Sequence, residues 1–454
     1  MYETSVDYLS DALATVSNGT MKDTIGEACQ SGRIILKAGH VVDPKNKVDS
    51  VKDISIANGL VMEIADSIKE EAGDMVINCE GLLVVPGLID MHLHLGDLFE
   101  VSTNPIFCAV EDGVTLGLSP GAGNTFMAPS LLGAEIDHGL PINLGVYLGA
   151  ANVLGTMLST EELIKMFKGE LDAETASRKM TRNGITNTTA ALTVGIKDHM
   201  GHFIMSDENI ERIFEITSKA NLIYMSHTQD PAHAERLVGL SKGRRLHLAH
   251  ATAAGCGTHA DAAEGMRRVL DLVNGENISA EFVTTMLRQG RGSREGLQLP
   301  KASQQLAYDA LENKKVKILI SDGQNEATMK GFGDTRDNIP AILELVEVGV
   351  WSLSDSVASM TANPVKLIGE TTKNSWWTEK LGHLGVGALA NITVIDPDDK
   401  LATYTIVNGE IVSFENRIVR RSQGAGGWIS KFGMVRKTGV GDLAMFSYHK
   451  ESYM

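Results

Sequence analysis

The sequence predicts an α/β protein in which eight parallel strands alternate with helices and close into a barrel, with a small β-sandwich attached. In the middle of the chain, short apolar segments alternate with helical stretches, which is typical of a parallel sheet. Eight such strands are present, the number that closes a (β/α)8, TIM-like barrel. Short β-rich segments precede and follow this region, which indicates one sandwich built from both ends of the chain. The 454 residues suffice for a barrel of about 250–300 residues and a satellite domain.

The sandwich is predicted from two groups of short strands. The first group contains Asn58-Gly59 and the second Asn408-Gly409. Both pairs are strong signals for a tight hairpin, because the two central residues of such a turn need positive φ. The predicted sandwich strands are 33–38, 53–57, 60–64, 75–78, 82–85, 391–395, 401–407 and 410–414.

The barrel strands are predicted at 88–94, 114–119, 142–148, 191–197, 222–227, 245–250, 278–284 and 315–321. A longer helical insert separates the third strand from the fourth, and Ser159-Thr160-Glu161-Glu162 predicts a capping box at its start. Amphipathic helices at 334–347 and 353–367 would complete the outer ring. The predicted domains are an N-terminal arm (1–31), the sandwich (32–85 and 386–420), the barrel (86–385) and a C-terminal tail (421–454).

Composition and charge argue against several classes of function, such as binding to nucleic acid or to membranes. The net charge of −16 at pH 7 argues against nucleic acid or an anionic membrane as a partner. No apolar run reaches the roughly 18 residues of a membrane-spanning helix, and no signal peptide is evident. Four cysteines without a C-x-x-C pair indicate a reducing, cytoplasmic location and no cysteine zinc site. We expect a cytoplasmic homo-oligomer that acts on a small molecule, with no nucleic acid or membrane partner.

The first barrel strand, at 88–94, is the most informative stretch. Alternate side chains of a strand share a face, so Asp90, His92 and His94 point one way, while Ile89 and its apolar neighbours face helices. Three ionisable groups on an apolar strand would be costly to bury without a partner such as a metal ion. The alternative is a surface strand with two incidental histidines, but the apolar flanks and the Pro-Gly entry favour a metal site.

Ligand-type residues also end four further barrel strands, at the edge where such barrels place their active sites. These residues are Lys197, His227, His250 and Asp322. Two positions have competitors. His247 and His250 have opposite parity on their strand, so only one of them can point inward. His199 and His202 lie in the loop after Lys197, where we expect them to shape the pocket or face solvent.

The strand that carries His92 and His94 resembles the first-strand signature of the amidohydrolase superfamily, whose members hydrolyse C–N and related bonds on a (β/α)8 barrel with one or two metals. Val194-Gly-Ile-Lys197 resembles the carbamylated-lysine strand of its hydantoinase, dihydroorotase and deacetylase branch. Leu248-Ala-His250-Ala-Thr252 is similar to the sixth-strand pattern of the same relatives, which favours His250 as a ligand and leaves His247 to packing. The resemblance implies two divalent metal ions held by His92, His94, Lys197, His227, His250 and Asp322.

Lys197 needs a chemical change before it can bind a metal, because a protonated ammonium has no lone pair. Burial in the barrel would lower its pKa, and the neutral amine can react with carbon dioxide to form a carbamate that bridges two ions. The alternative is a solvated or salt-bridged lysine. Histidine, carbamate and carboxylate ligands favour zinc, with iron, manganese, cobalt or nickel as alternatives.

Asp322 is the predicted catalytic residue. A carboxylate beside a metal can bind the ion and accept a hydrogen bond from its bridging water, and metal binding lowers the pKa of that water towards about 7. Metal-bound hydroxide would attack the amide carbon, and Asp322 would pass the proton to the departing nitrogen. Asp90 is a candidate for orienting a histidine, with a structural role in the barrel as the alternative.

The sequence therefore predicts a metal-dependent hydrolase of a C–N amide bond, cyclic or N-acyl, in a small molecule. The alternatives are an aminohydrolase (deaminase) of a heterocycle and a non-catalytic scaffold protein of the same fold. No familiar specificity fits. Gly96 stands where dihydroorotases carry an arginine, no hydantoinase-type tyrosine follows Lys197 (its role would fall to His199 or His202), and no D-aminoacylase-type cysteine occurs at 121–125.

Three arginines follow the seventh predicted strand, at Arg288, Arg291 and Arg294. A loop there would overhang the pocket, where guanidinium groups can bind a substrate carboxylate. The alternative is a solvated loop whose arginines pair with the surplus of acidic residues.

Overall fold

The computed structural model describes residues 32–94, 105–121, 123–199, 204–290, 298–323, 332–415, 417–419 and 424–436. The predicted arm at 1–31, the tail beyond 436, and the residues His202, Arg291 and Arg294 lie outside this part of the chain. Within it, no helix has both the length and the apolar character needed to cross a membrane.

The strands fall into three groups along the chain. Before the barrel come β1 (Ile34–Asp43), β2 (Val48–Ala57), β3 (Leu60–Ala65), β4 (Met75–Asn78) and β5 (Leu83–Pro86). The barrel strands are β6 (Leu88–Asp90), β7 (Val114–Ser119), β8 (Asn143–Gly149), β9 (Gly195–Asp198), β10 (Ile223–His227), β11 (Leu246–Ala249), β12 (Ile278–Val283) and β13 (Ile318–Ile320). After the barrel come β14 (Ile392–Asp396), β15 (Leu401–Val407), β16 (Glu410–Phe414), β17 (Arg417–Ile418), β18 (Trp428–Ser430) and β19 (Gly433–Arg436).

Both ends of the chain build one β unit, as predicted. The order β17-β16-β15-β14-β5-β1-β2-β3 joins the two groups through the antiparallel pair β5 and β14, and β4 pairs with β1. The sheet encloses an apolar cluster to which both groups contribute, for example with Ile54 and Ile392. Asn58-Gly59 connects β2 to β3 and Asn408-Gly409 connects β15 to β16, each with positive φ at both residues. The predicted hairpin turns are confirmed.

The eight barrel strands are parallel and adjacent in chain order, because each strand from β6 to β12 pairs with the next one. The first and last strands meet through individual hydrogen bonds, among them Asp322 N to His92 O at 3.0 Å. The fully buried Asp90 carboxylate adds to this closure, since it accepts the backbone N–H of Ser321 at 3.1 Å and of His92 at 3.2 Å. Of the two roles open to Asp90, these contacts support the structural one.

The first barrel strand is shorter than predicted. It ends at Asp90, and a bend follows, so the strand alternation does not extend to His94. Ile89 and Met91, expected to face helices, lie in a buried cluster that contains helical side chains such as Ile368 and also side chains of other barrel strands such as Met225. The length of the strand was therefore overestimated, because a strand pattern was extended past its end.

The helices of the described residues are α1 (Pro105–Glu111), α2 (Ala128–Asp137), α3 (Ala150–Leu154), α4 (Thr160–Lys168), α5 (Ala173–Lys179), α6 (Gly184–Thr189), α7 (Asp207–Ala220), α8 (Pro231–Ser241), α9 (Ala262–Leu272), α10 (Thr284–Leu287), α11 (Lys301–Glu312), α12 (Asn338–Glu347), α13 (Leu353–Ala358), α14 (Ala362–Thr372) and α15 (Trp376–Lys380). Helix α4 has the predicted capping box between Ser159 and Glu162. The helix predicted at 353–367 is two helices, because Thr361 has a non-helical backbone and a new helix begins at Ala362, with Pro364 in its first turn.

Strands β18 and β19 form a hairpin against the base of the barrel. Trp428 of β18 pairs with Leu144 near the start of β8 and is completely buried. Ile429 and Met434 enter the same buried cluster as the barrel side chains. The described part of the predicted tail therefore docks on the body of the chain.

Lys431, at the turn of this hairpin, gives a testable dependence of stability on pH. Its Nζ donates to Ala220 O at 2.7 Å, and burial lowers its pKa to about 7. The unfolded chain therefore binds more protons than the folded one between pH 7 and about 10.5, so stability rises with pH across this window. We expect Lys431→Met to raise the melting temperature by a few degrees at pH 6, with the gain lost towards pH 10. An equal gain at both pH values would contradict this expectation.

Candidate metal centre

Ligand-type side chains meet at the C-terminal end of the barrel strands. The Nε2 atoms of His92 and His94 lie 3.1 Å and 3.2 Å from Asp322 Oδ1, and these three ligand atoms all lie within 4.8 Å of one another. The ring of His250 is 5.1 Å from that of His92 and 4.5 Å from that of His227. Five of the six predicted ligands therefore form one continuous cluster of side chains.

His250 directly follows β11, Asp322 lies two residues after the end of β13, and both have positive φ, 37° and 48°. Such values are uncommon for residues other than glycine, and strained backbone of this kind clusters at functional sites as well as in turns. At His250 the left-handed turn breaks the alternation of the strand. His247 hydrogen-bonds to Glu281 inside the barrel, and His250 still reaches the cluster. The prediction that only one of these two histidines points inward was wrong for this reason.

Lys197 lies beside the cluster but is not one of its three close donors. It is 1% exposed, and its Nζ donates to Asp198 O at 3.0 Å. Burial lowers its pKa, against the opposing charges of Asp198, Asp322 and Glu281. A lowered pKa favours the neutral amine, which is the form that reacts with carbon dioxide.

Two histidines of the cluster, His227 and His250, are neutral. Burial and the charge of Lys197 lower the pKa of His227 to about 3, and burial holds the pKa of His250 well below its usual range. His250 Nδ1 is buried without a hydrogen-bond partner among the residues that the structure describes. A neutral imidazole with a free lone pair is the form of histidine that binds a metal.

Glu281 was missed in the sequence, although it orders the centre. Its Oε1 lies 2.5 Å from His92 Nδ1, and because a carboxylate only accepts, Nδ1 carries the proton. A neutral His92 would then point its Nε2 lone pair at the oxygen of Asp322, 3.1 Å away. Two lone pairs repel each other unless a proton or a metal ion lies between them. Burial opposes protonation, but the carboxylates of Asp322 and Glu281 raise the pKa of His92.

Two further side chains face the cluster. His199 interacts electrostatically with Lys197 and three of the clustered histidines, and its buried Nε2 has no hydrogen-bond partner within the described part of the chain. Of the two expectations for His199, the pocket is therefore the one observed. Phe332 places its ring 4.8 Å from that of His250, and its N–H donates to Asp322 Oδ2 at 2.9 Å. This bond leaves Oδ1 of Asp322 to face His92.

Arg288 is engaged away from the pocket. Its guanidinium binds Glu344, with Nη2 at 2.7 Å from the carboxylate, and also contacts Asp337. Pairing with the surplus of acidic residues was the alternative considered for this loop. The role of Arg291 and Arg294 stays a prediction.

The donors present fit a divalent cation. Imidazole nitrogen together with carboxylate oxygen is a common ligand set for zinc and its neighbours in the first transition row. Separations of 3.1 Å and 3.2 Å between these donors are short enough for one ion bonded at about 2.0–2.2 Å to each atom. A cation would also relieve the repulsion between the facing lone pairs of His92 and Asp322.

Comparison with known proteins extends these observations. A model of the amidohydrolase family matches residues 83–416. The dihydroorotase of Trichlorobacter lovleyi is 26% identical over 410 residues, which cover 80% of this chain and 89% of that protein. The dihydroorotase of Aquifex aeolicus is 24% identical over 409 residues, which cover 81% of this chain and 90% of that protein.

Two solved structures illustrate the likeness of the fold. A D-hydantoinase matches with a TM-score of 0.65 at 16% identity, over 88% of this chain and all of that one (100%). The L-hydantoinase (dihydropyrimidinase) of Arthrobacter aurescens matches with a TM-score of 0.63 at 18% identity, over 87% of this chain and 99% of that one. Together with the observed strands, this likeness confirms the predicted fold class of a barrel with a β-sandwich.

Proposed function

Because this chain belongs to the amidohydrolase family, we propose that it hydrolyses the C–N bond of a cyclic amide in a small molecule. The observation that carries the proposal is the convergence of His92 Nε2 and His94 Nε2 on Asp322 Oδ1. The names dihydroorotase, hydantoinase and dihydropyrimidinase denote hydrolases of ring amides. They support this substrate class over the aminohydrolase alternative, and an N-acyl bond is the second candidate.

The proposed centre holds two divalent ions, with zinc as the first choice, on His92, His94, His227, His250, Asp322 and a carbamate of Lys197. Two neutral imidazoles, those of His227 and His250, and a buried lysine with a lowered pKa support this assignment. When bound, the ions supply positive charge that polarises the substrate carbonyl and makes water more acidic.

Asp322 is proposed to move the proton of the reaction. The surrounding histidines, His92 first, outweigh burial and hold its pKa well below its usual range, so the carboxylate is ionised. Its Oδ2 accepts the N–H of Phe332, which leaves Oδ1 to accept a proton from the attacking water. The same atom then returns the proton to the leaving nitrogen, which would otherwise depart as a poor amide anion.

His199 and Phe332 are proposed to contact the substrate. The Nε2 of His199, which has no partner among the described residues, can hydrogen-bond to the substrate carbonyl, because no hydantoinase-type tyrosine follows Lys197. The ring of Phe332 beside His227 and His250 gives the pocket one apolar wall. We further propose a cytoplasmic homo-oligomer. The buried free thiol of Cys79 agrees with a reducing compartment.

Metal content and a substrate screen test the proposed function. Protein purified without chelator is expected to hold at least one divalent ion per chain. With metal supplied, it should open hydantoins, dihydropyrimidines or lactams, with N-acyl amino acids as the second series. Removal of the metal should abolish turnover, and its return should restore it. Release of ammonia without ring opening would support deamination instead, and a chain that binds no metal would contradict the proposal.

A further inference from the structure

Glu281 contacts two of the candidate metal ligands, His92 and His250, and no sequence motif predicted these contacts. Its side chain is completely buried. Oε1 receives the Nδ1–H of His92 at 2.5 Å and the backbone N–H of His250 at 3.2 Å. Oε2 receives the Nε2–H of His247 at 2.9 Å. One carboxylate therefore touches the ring of one proposed ligand and the backbone of another.

The contacts of His247 continue away from the centre. Its Nδ1 lies 2.8 Å from Ser279 Oγ, and in the neutral ring that donates Nε2–H to Glu281 this Nδ1 is the acceptor. Ser279 is half-buried and lines a cavity of about 60 Å³ that also includes Arg245 and Asn277, next to the start of strand β11. Ser279, His247 and Glu281 thus form a column of hydrogen bonds from the base of the barrel to His92.

We propose that Glu281 is a positioning residue that holds two metal ligands at once, and that His247 holds Glu281. The inference rests on the proposed function, because it takes His92 and His250 to bind the ion. By accepting from Nδ1, Glu281 makes His92 present Nε2 to the centre. By accepting the N–H of His250, it stabilises the left-handed turn that aims this ring at the same place.

Each half of this role has a physical reason. An imidazole that is free to exchange tautomers presents its lone pair at Nε2 only part of the time, whereas a carboxylate at Nδ1 fixes it there. The left-handed backbone of His250, with φ of 37°, is strained, and a charge-assisted hydrogen bond can offset that strain. The loss of Glu281 therefore affects two ligands, not one.

Metal affinity of Glu281→Gln tests the inference. The amide keeps the shape of the side chain but loses the charge, and it forces His247 to change tautomer in order to stay hydrogen-bonded. We expect affinity to fall about 10- to 100-fold, measured by competition with a chromophoric chelator. The visible spectrum of the cobalt-substituted protein should change as well. The melting temperature of the metal-free protein should fall by no more than that of the control.

The matched control is Asp43→Asn, a buried carboxylate in the β-sandwich that accepts the N–H of Leu384 at 2.8 Å. It should lose stability without losing metal affinity. His247→Asn leaves Glu281 in place, and we expect a smaller loss, below the roughly tenfold lower end of that range. If Glu281→Gln does not fold, the metal affinity of His247→Asn tests the inference instead. Wild-type affinity and cobalt spectrum in either folded variant would overturn the inference, whereas a wild type without metal would overturn the proposed function.

Discussion

Replacing Asp322 with asparagine is expected to lower kcat about 10²- to 10⁴-fold, the range for loss of a general acid–base group. Asparagine keeps the shape of the side chain and an oxygen near His92 and His94, so the metal content and KM should change little. It cannot accept a proton, however, because an amide oxygen is a very weak base. The measurement is steady-state kinetics on metal-replete protein, with the metal content of each preparation determined in parallel.

The matched control is Asp112→Asn. Asp112 is a carboxylate beside α1 that accepts a hydrogen bond from Thr335 at 2.5 Å, and burial raises its pKa to about 7. This variant should keep the kcat of the wild type. If Asp322→Asn turned over at a near-normal rate with its metal retained, Asp322 could not be the proton shuttle.

Replacing Lys197 is expected to reduce kcat/KM by about 10³-fold or more, beyond the 10- to 100-fold loss typical when an outer partner of a metal ligand is removed. Lys197→Arg is the sharper of two variants. Its guanidinium keeps a positive charge at every usable pH and cannot form a carbamate. Lys197→Ala instead leaves space, so acetate or propionate should restore part of the metal binding in this variant and none in Lys197→Arg.

Whether the side chain of Lys197 carries a carbamate can be tested directly. Wild-type protein grown or incubated with ¹³C-bicarbonate should show a carbamate carbon resonance that Lys197→Arg lacks. Lys431→Met is the control, because Lys431 is a second buried lysine whose Nζ also donates to a backbone carbonyl, far from the centre along the barrel. A metal content equal to that of the wild type in Lys197→Arg would rule out the bridging role.

Much of the fold was predictable because its signals are local. The Asn-Gly pairs mark their hairpins through their own backbone preferences, and β7, β15 and β16 have the bounds predicted for them. The clustering of ligand-type residues at the ends of strands followed from one rule, that parallel barrels place these ends at one face. The positions of His92, His94, His227, His250 and Asp322 agree with that rule.

The predictions that were wrong or missing concern features that the local residue pattern does not determine. The alternation of strand residues predicted one inward histidine on β11, but the left-handed backbone of His250 cannot be read from neighbouring residue types. Glu281 meets His92 across 189 positions of sequence and His247 across 34. A lone carboxylate in an apolar strand was the available signal, since a buried charge needs partners. Phe332 gave no signal at all.

The β18–β19 hairpin and the pairing of β5 with β14 have a consequence for synthesis on the ribosome. The pairs among β1 to β5 can form early, but β5 cannot find its partner β14 until the entire barrel has been translated. The base of the barrel stays uncovered until Trp428 follows. Apolar surface is thus exposed for most of translation, a condition under which nascent chains depend on chaperones or aggregate.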